Sequence, residues 1–388
     1  MGSAEDRAYQ ALCDCAHGFM VSQVVFAACE LGVFDVLAEA PGPLDVGAVV
    51  MRLGTSSHGT ELLLDACVSL KLLTLETRSG KAFYSNTELA STYLSSPSPK
   101  SQRHMLLYMA RTTYRCWGHL AEAVREGKNQ YQKAFGVPSH DLFTAIYRSE
   151  GEQLQFMRGL QEVWSISGRS VMTAFDLSPF PLICDLGGER LTLMSELWRR
   201  ASPRLLRVHA VCPLVGGSGA LAKECISVYP DAKVTVFDIP DVVRVAKTHF
   251  DFPEEGRISF QEGDFFQDRL PEADLYILAR VLHDWADAKC LALLARIHRV
   301  CRPGGGVLVV ESVLDEDRRG PRTTLLFSLN MLLQTEGRER TPGQYHTLLA
   351  AAGFGDFRLR RTGSVYDAML ARKLLPLGPA ASVKSQQL

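Results

Sequence analysis

The sequence predicts an α/β fold in which a mostly helical N-terminal module precedes a doubly wound domain. Over the first hundred residues, apolar residues recur at helical spacing, as in FMVSQVVFAACELGVFDVLAEA. Beyond Pro181, apolar runs such as PLICDLGG, KVTVFDIP and GGGVLVVESVL alternate with helical patterns, which is typical of a parallel sheet covered by helices on both faces. At 388 residues the chain is long enough for two domains.

The composition excludes several classes of partner. A net charge of -1 gives no general attraction for nucleic acid or for an anionic membrane. Two acidic residues near the N-terminus argue against a targeting peptide, and polar residues within the apolar window 19–34 argue against a membrane span. The ten cysteines lack metal-type spacing, which favours reduced thiols. We therefore expect a cytoplasmic protein with a small-molecule substrate, no metal, no nucleic acid and no membrane.

The N-terminal module, residues 1–100, is predicted to mediate self-association. Its second half combines a helix-turn-helix pattern with TLETRSGKAFYSN, two strand-like runs around an Arg-Ser-Gly-Lys turn, which together are similar to a winged helix. DNA binding is disfavoured because these residues contain six Lys and Arg against eleven Asp and Glu, so phosphates would be repelled. An apolar helical module that forms a homodimer fits this composition better.

The remaining boundaries follow from composition. The segment SSPSPKSQ, residues 95–102, is a polar linker candidate between the module and a domain that we place at 101–373. Helical patterns rich in aromatic residues continue to about Leu177, and strands alternate with helices from there on. Residues 374–388 are rich in Pro, Ala, Ser and Gln, as in a mobile tail.

A glycine-rich loop follows the first strand of the doubly wound domain, but an insert of 28 residues, 188–215, interrupts it. Without the insert, Asp185 and Gly187 would join Gly217 and Gly219 in an Asp-x-Gly-x-Gly-x-Gly motif. Such a turn lets the backbone approach a ligand closely, and the helix that follows directs free amides towards it. Glycine loops alone do not separate nicotinamide enzymes, flavoproteins and methyltransferases.

Acidic residues at strand ends discriminate between these classes. Asp238 is the last residue of KVTVFD, 19 residues beyond Gly219, where a carboxylate can accept hydrogen bonds from both ribose hydroxyls. Asp264 follows the next strand and could contact an adenine amino group, with Phe265 against the ring. Together with Asp185, these acids suit a cationic nucleoside without phosphate, such as S-adenosylmethionine. A nicotinamide cofactor remains the less suitable alternative.

The run LYILARVLHDW places Arg280, His283 and Asp284 at the carboxyl end of the fourth strand, the side on which doubly wound sheets bind ligands. A histidine with an ordinary pKa of about 6.5 can accept a phenolic proton at neutral pH. A carboxylate is needed to fix its tautomer. Asp284 would point elsewhere in an extended chain, so Glu311 and Glu339 are the better candidates.

The motifs GSGALAKE, VFDIP, GDFF, ILARVLHDW, CRPGGGVLVVES and LNMLLQTEGRERT resemble the S-adenosylmethionine-dependent O-methyltransferases that act on small phenols. The helices GFMVSQVVFAACELGVFDVLAEAPGPLDV and RCWGHLAEAVREG are similar to vertebrate members that methylate a hydroxyindole. The resemblance covers residues 1–373 apart from the insert. It implies an interlocked homodimer, a Rossmann-like catalytic domain, S-adenosylmethionine as cofactor and N-acetylserotonin as the methyl acceptor.

Carried over onto matching positions, the resemblance implies three groups of residues. The catalytic group has His283 as proton acceptor, flanked by Glu311 and Glu339. The cofactor group adds residues from the helices before the sheet to those at the strand ends: Tyr147, Trp164, Asp185, Gly187, Gly217, Gly219, Asp238, Gly263, Asp264, Phe265 and Arg280. The acceptor group is Asp284, Asn330, Gln334, Phe143 and Phe156.

The insert departs from the pattern of this class, and it leaves the activity open. It contains a possible helix from Glu189 to Arg200 and a break at Pro203. Lengthening a loop from about six to 34 residues costs only about 1.5 kcal/mol, so the fold should tolerate it. Cofactor binding is less tolerant of displacement. The alternatives are a working enzyme for N-acetylserotonin, an enzyme for another small phenol, or an impaired insertion isoform that acts as a dimer partner.

Overall fold

The computed structural model describes residues 4–136, 149–189, 212–213, 217–252 and 256–375. The chain forms two compact units. The first consists of Met1–Arg115 and Gly151–Ile166, and the second of Cys116–Glu150 and Ser167–Leu388. The domain boundaries at residues 100 and 373 stay predictions, and most of the tail lies outside the described residues.

The first unit is mostly helical, as predicted. Its elements are α1 (Ala4–Leu31), α2 (Val33–Glu39), β1 (Leu44–Asp45), α3 (Val46–Leu53), α4 (Ser57–Ser69), β2 (Leu73–Arg78), β3 (Lys81–Asn86), α5 (Glu88–Tyr93), α6 (Arg103–Tyr108) and a π-helix (Met109–Thr113). Its core contains Phe34, Val49, Leu64 and Tyr84, all fully buried. The three strands form an antiparallel sheet in the order β1-β3-β2.

Local sequence explains the hairpin and the helix ends of this unit. Ser79 and Gly80 both have positive φ, 48° and 78°, so they form the predicted Arg-Ser-Gly-Lys turn between β2 and β3. Asp45 and Ser56 accept hydrogen bonds from the first-turn amides of α3 and α4. The predicted hairpin is confirmed, whereas similarity to a winged helix stays a prediction.

Helix α1 presents a large apolar surface. Tyr9, Leu12, Phe19 and Met20 are each at least half exposed. By length and composition α1 is apolar enough to cross a membrane, and only 17% of its most apolar window is buried. The expectation that its polar residues argue against a membrane span stays a prediction, because length and composition alone do not decide it.

Four described helices precede the large sheet along the chain. These are α7 (Tyr114–Trp117), α8 (Leu120–Glu126), α9 (Tyr131–Phe135) and α10 (Glu150–Met172). The second unit continues with β4 (Leu182–Leu186), β5 (Gly188–Glu189), β6 (Cys212–Pro213), α11 (Ala220–Val228), β7 (Lys233–Asp238), α12 (Pro240–His249), β8 (Ile258–Glu262), β9 (Leu275–Ala279), a 3₁₀ turn (Leu282–Asp284), α13 (Asp287–Val300), β10 (Gly306–Glu311), α14 (Arg322–Gln334), α15 (Pro342–Ala351), β11 (Gly355–Arg360) and β12 (Asp367–Arg372).

Seven strands form one sheet in the order β11-β12-β10-β9-β4-β7-β8. The five strands from β10 to β8 are parallel to one another, and β9 and β10 are buried along their whole length. The predicted α/β doubly wound fold is confirmed. Because the carboxyl ends of parallel strands lie at one edge, this sheet brings residues from five distant segments together.

The end of the sheet differs from the parallel arrangement that the apolar runs predict. The segment FRLRRTGSVYDAMLARK forms two strands, β11 and β12, which are antiparallel to each other. Gly363, with φ of 76°, lies in the turn between them, and β12 is also antiparallel to β10. A turn at Thr-Gly-Ser permits a hairpin here because glycine adopts the left-handed conformation without strain.

The two ends of the insert pair with each other. Strands β5 and β6 are antiparallel, with Gly188 opposite Pro213 and Glu189 opposite Cys212. The predicted helix up to Arg200 and the break at Pro203 lie outside the described residues. The described backbone therefore continues from β4 into β5 and comes back beside β5 in β6, so the two ends of the insert lie next to each other.

Candidate active site

A buried histidine and two glutamates lie at the end of β9. His283 is in the 3₁₀ turn that follows this strand, and its Nδ1 lies 2.8 Å from Oε1 of Glu339. Oε2 of Glu311, the last residue of the neighbouring strand β10, lies 3.6 Å from the same nitrogen. The side chains of His283, Glu311 and Glu339 are at most 5% exposed. The structure thus brings the three predicted catalytic residues together.

The two glutamates have different roles in this arrangement. When Glu339 is ionised its Oε1 accepts from Nδ1, which places the proton of the neutral imidazole on Nδ1 and the lone pair on Nε2. Glu311 instead accepts from the backbone amides of Leu282 and His283, at 2.9 and 3.3 Å. Glu339 therefore orients the ring, whereas Glu311 fixes the backbone that carries it.

Asp284 does not point away from the histidine, and that expectation is wrong. Its Oδ1 lies 3.6 Å from Nε2 of His283, and its side chain is 1% exposed. The reason is local: residues 282–284 turn as a 3₁₀ helix instead of extending, so adjacent side chains come to the same region. Asp284 is therefore next to the nitrogen that would accept a proton.

Burial raises the pKa of every carboxyl group in this cluster. The pKa of Asp284 and that of Glu311 rise to about 7, and that of Glu339 rises to about 8, in each case mainly through desolvation. The positive charge of Arg280 lowers all three values. Perturbed groups that converge at one edge of a sheet are typical of a reaction site.

The same three side chains could also hold a metal ion. Their potential ligand atoms lie within 4.8 Å of one another. However, Nδ1 of His283 is already bonded to Glu339, and partly buried Arg280 supplies a positive charge to the cluster. A site without metal stays a prediction.

Two residues that support the histidine turn were missed by sequence reasoning. Arg340 is buried and donates to the carbonyl oxygens of Leu282 and Trp285, both at 2.7 Å, and to Asp287. A Cβ atom on Gly337 would lie 2.1 Å from the carbonyl oxygen of His283. Both lie in TEGRER beside Glu339, a segment that the sequence had already marked.

Replacing Arg340 with lysine is expected to lower the free energy of unfolding by about 3 kcal/mol, because buried carbonyls and Asp287 lose their forked partner. The turn that carries His283 loses two of its anchors, so kcat should fall at least about tenfold while the KM for the cofactor changes little. Chemical denaturation and steady-state kinetics measure both effects. Arg358→Lys, at an exposed pair with Asp356, is the control. An unchanged kcat in a destabilised Arg340→Lys would remove the positioning role.

Three carboxylates lie at the ends of neighbouring strands on the other half of the same edge. Asp185 is in β4, Asp238 ends β7, and Asp264 follows β8, with these strands adjacent in the sheet. All three side chains are buried. Desolvation raises the pKa of Asp185 to about 7 and also raises the pKa of Asp238. This row confirms the predicted placement.

The unsatisfied atoms of this row fit a ligand with hydroxyl groups. Oδ1 of Asp238 accepts from the amide of Ile239 at 2.8 Å, but its buried Oδ2 has no hydrogen-bond partner among the described residues. The same is true of Oδ2 of Asp185. Because buried polar atoms are normally paired, these oxygens point to hydrogen bonds from a bound molecule.

Gly217, from the predicted glycine-rich loop, lies beside one of these oxygens. A Cβ atom on Gly217 would lie 1.9 Å from Val242 and 3.2 Å from Oδ2 of Asp238. Gly187 donates to the carbonyl oxygen of Phe237 at 3.0 Å, and Gly219 has φ of 64° directly before α11. Only glycine fits this turn, so backbone can approach a ligand beside Asp238.

The neighbouring predicted residues complete this edge. Gly263 donates to the carbonyl oxygen of Asp238 at 2.9 Å, and Phe265 is 1% exposed after it. Oδ1 of Asp264 accepts a hydrogen bond from the amide of Phe266, so one of its two carboxylate oxygens already bonds within its own turn. Arg280 has φ of 59°, a strained value for a non-glycine residue.

The predicted acceptor residues Asn330 and Gln334 lie one turn apart on α14. Their side chains are hydrogen-bonded to each other and to two aromatic residues that sequence reasoning did not select, Trp117 and Tyr131. The bonds to Trp117 and Tyr131 span 213 and 203 positions, so no local pattern could have found them.

For four aromatic residues, the described structure does not test the predicted contacts with cofactor or acceptor. Tyr147 and Phe143 lie outside the described residues. Trp164 and Phe156 are buried in the first unit, where Phe156 packs on Tyr108 with ring centroids 4.6 Å apart. Their predicted contacts with cofactor and acceptor stay predictions.

Comparison with known proteins agrees with these features. A family model of the O-methyltransferase domain matches residues 117–200 and 189–355, and one of the O-methyltransferase dimerisation domain matches residues 13–96. Acetylserotonin O-methyltransferase from Homo sapiens is 67% identical over 373 residues, covering 96% of this chain and all of that protein. The enzyme of the same name from Gallus gallus is 54% identical over 374 residues, again covering 96% of this chain and all of the relative.

Solved structures extend this agreement to three dimensions. The crystal structure of human N-acetylserotonin methyltransferase in complex with SAM has a TM-score of 0.87 at 66% identity, covering 96% of this chain and all of that one. LaPhzM has a TM-score of 0.77 at 26% identity, covering 94% and 99% of the two chains. The chain belongs to the O-methyltransferase family, within the group of the acetylserotonin O-methyltransferases.

Proposed function

We propose that this chain transfers a methyl group from S-adenosylmethionine to the hydroxyl group of N-acetylserotonin. One observation carries the proposal: an oriented histidine and a row of buried carboxylates lie at the carboxyl edge of five neighbouring parallel strands. Relatives that are 67% and 65% identical over 373 residues are acetylserotonin O-methyltransferases, and the human structure contains SAM. Both facts support the proposal.

The residues present fit this cofactor. Bound S-adenosylmethionine would supply an electrophilic methyl group on a positively charged sulfur. Asp238 would accept hydrogen bonds from the ribose hydroxyls through its unpaired Oδ2, and the turn at Gly217 would let the backbone approach. Asp264 and Phe265 would hold the adenine, and Asp185 would favour the cationic amino acid part.

His283 would act on the acceptor. Its Nε2 is free to accept the hydroxyl proton as the oxygen forms its bond to the methyl group, because Glu339 holds the other ring nitrogen. Glu339 also stabilises the imidazolium that results. Asp284, Asn330 and Gln334 would orient the acceptor, and another small phenol that meets these groups is the alternative substrate.

We also infer a cytoplasmic homodimer with no membrane or nucleic acid partner. The dimerisation-domain match includes most of α1, whose exposed Phe19 and Met20 would be covered by a second copy. The excess of acidic residues in 1–100 opposes phosphate binding. None of the nine cysteines whose side chains the structure describes forms a disulfide, and Cys15 is exposed, which suits a reducing compartment.

The insert is compatible with activity in this proposal. The pairing of β5 with β6 closes its base, and Gly217 remains next to Asp238. The excursion therefore need not displace the glycines that face the cofactor. The impaired dimer partner remains the alternative outcome of the test.

The test compares the full chain with a variant that lacks residues 188–215. We expect methyl transfer from labelled S-adenosylmethionine to N-acetylserotonin by both, with cofactor dissociation constants that agree within about threefold, because loop closure itself costs little. Calorimetry measures the affinity and a radiochemical assay measures the product. Turnover confined to the deletion variant would identify the full chain as an impaired isoform, and turnover by neither would overturn the proposed function.

A further inference from the structure

A short hydrogen-bonded chain fixes the side chains of Asn330 and Gln334 on α14. Nε1 of Trp117 donates to Oδ1 of Asn330 at 3.0 Å. Nε2 of Gln334 donates to the same oxygen at 2.5 Å, and the hydroxyl of Tyr131 donates to Oε1 of Gln334 at 3.0 Å. Four side chains thus form one directional sequence of donors and acceptors that ends on Oδ1 of Asn330.

The indole group determines the direction of this sequence. An indole N–H can only donate, so the atom of Asn330 that faces Trp117 must be the carbonyl oxygen. If the amide of Asn330 were reversed, its NH₂ group would face two donors, Nε1 of Trp117 and Nε2 of Gln334. Trp117 therefore settles an amide orientation that side-chain shape alone leaves ambiguous.

The surrounding backbone holds the members of this chain in place. The amide of Gln130 donates to the carbonyl oxygen of Leu333 at 3.0 Å, which ties the start of α9 to α14. Tyr131 is fully buried and Gln334 is 5% exposed. Because the Tyr131 hydroxyl can donate or accept, it holds Gln334 in place for either orientation of the Gln334 amide, and the choice of orientation comes from Trp117.

One donor group remains for a ligand. Both bonds to the Asn330 amide go to its oxygen, and no described residue accepts from Nδ2. Asn330 is partly exposed, so Nδ2 can reach a bound molecule. An amide NH₂ group pairs with a carbonyl or hydroxyl oxygen, whereas a protonated amine offers only further donors.

We propose that Trp117 is a positioning residue that makes the acceptor site selective for molecules with a hydrogen-bond-accepting oxygen, such as an acylated amine, over the corresponding free amine. This inference deepens the proposed function and rests on it for the identity of the acceptor. Trp117 acts through Asn330 and needs no contact with the substrate. Trp117 orients the Asn330 amide so that Nδ2, and not Oδ1, faces the acylated side chain of the bound substrate.

The test measures binding, so it does not depend on turnover. Dissociation constants of N-acetylserotonin and serotonin are measured by calorimetry with S-adenosylhomocysteine bound, for the unchanged chain and for Trp117→Phe. We expect the unchanged chain to prefer the acylated molecule, and Trp117→Phe to reduce that preference at least about tenfold, because the freed amide can present either atom. Tyr114→Phe, on the same helix, is the matched control with no expected change.

A second variant keeps the test decisive if Trp117→Phe folds poorly. Asn330→Asp places an oxygen where Nδ2 stands, so it should weaken N-acetylserotonin and strengthen serotonin relative to the unchanged chain. An unchanged ratio in both variants, or no binding of either molecule, overturns the inference. Selective binding without any methyl transfer would support the inference while overturning the proposed catalysis, so the two failures are distinguishable.

Discussion

Replacing His283 with glutamine is expected to lower kcat for methyl transfer by about 10²- to 10⁴-fold, the usual contribution of a positioned general base. The amide can occupy the same turn, but it cannot accept the proton of the hydroxyl group at neutral pH. The affinity for S-adenosylmethionine should change less than about threefold, because the row of cofactor carboxylates lies at other strand ends. Single-turnover assays and calorimetry separate the two effects.

The pH dependence of the residual activity distinguishes a lost base from a distorted site. Without the imidazole, only acceptor molecules that are already ionised can attack the methyl group. Since a phenol has a pKa of about 10, the rate of His283→Gln should rise about tenfold per pH unit through the neutral range. His346→Gln, at an exposed position, serves as control. A flat profile with near-normal kcat would remove His283 from the mechanism.

The strand-end acids could be predicted from sequence because the signals are local. Each of Asp185, Asp238 and Glu311 ends an apolar run, and a buried parallel sheet requires such runs to align. Alignment then places their carboxyl ends at one edge without any knowledge of loops. The order of β4, β7 and β8 in the sheet is what makes the three cofactor acids a continuous row.

Residues that act through long-range contacts could not be predicted in this way. Trp117 and Asn330 are 213 positions apart, and Arg340 reaches Leu282 across 58 positions. Neither contact produces a periodic pattern in the sequence, since each depends on how whole helices and strands pack against one another. Asp284 shows a different limit: its direction depends on whether three residues extend or turn, and their composition permits both.

Replacing Asp238 with asparagine is expected to weaken S-adenosylmethionine binding about 10- to 100-fold, because hydrogen bonds to a charged group contribute about 1.5–3 kcal/mol. The carboxylate is fully buried, and its Oδ2 has no hydrogen-bond partner among the described residues. Asparagine retains an oxygen that can accept from Ile239, but it puts an NH₂ group where a ribose hydroxyl needs an acceptor. Calorimetry measures the change.

The same substitution should not destabilise the protein without cofactor, which separates a binding role from a structural one. Burial raises the pKa of Asp238. A carboxyl group with a raised pKa in the folded state contributes stability below its ordinary pKa and loses it as the pH rises through the raised value. The cofactor-free variant should therefore match the unchanged chain in acid and exceed it in melting temperature at alkaline pH. Asp241→Asn, in the first turn of α12, should alter neither property. Equal losses of cofactor affinity and of stability in Asp238→Asn would mean that the carboxylate stabilises the fold and has no specific role in binding.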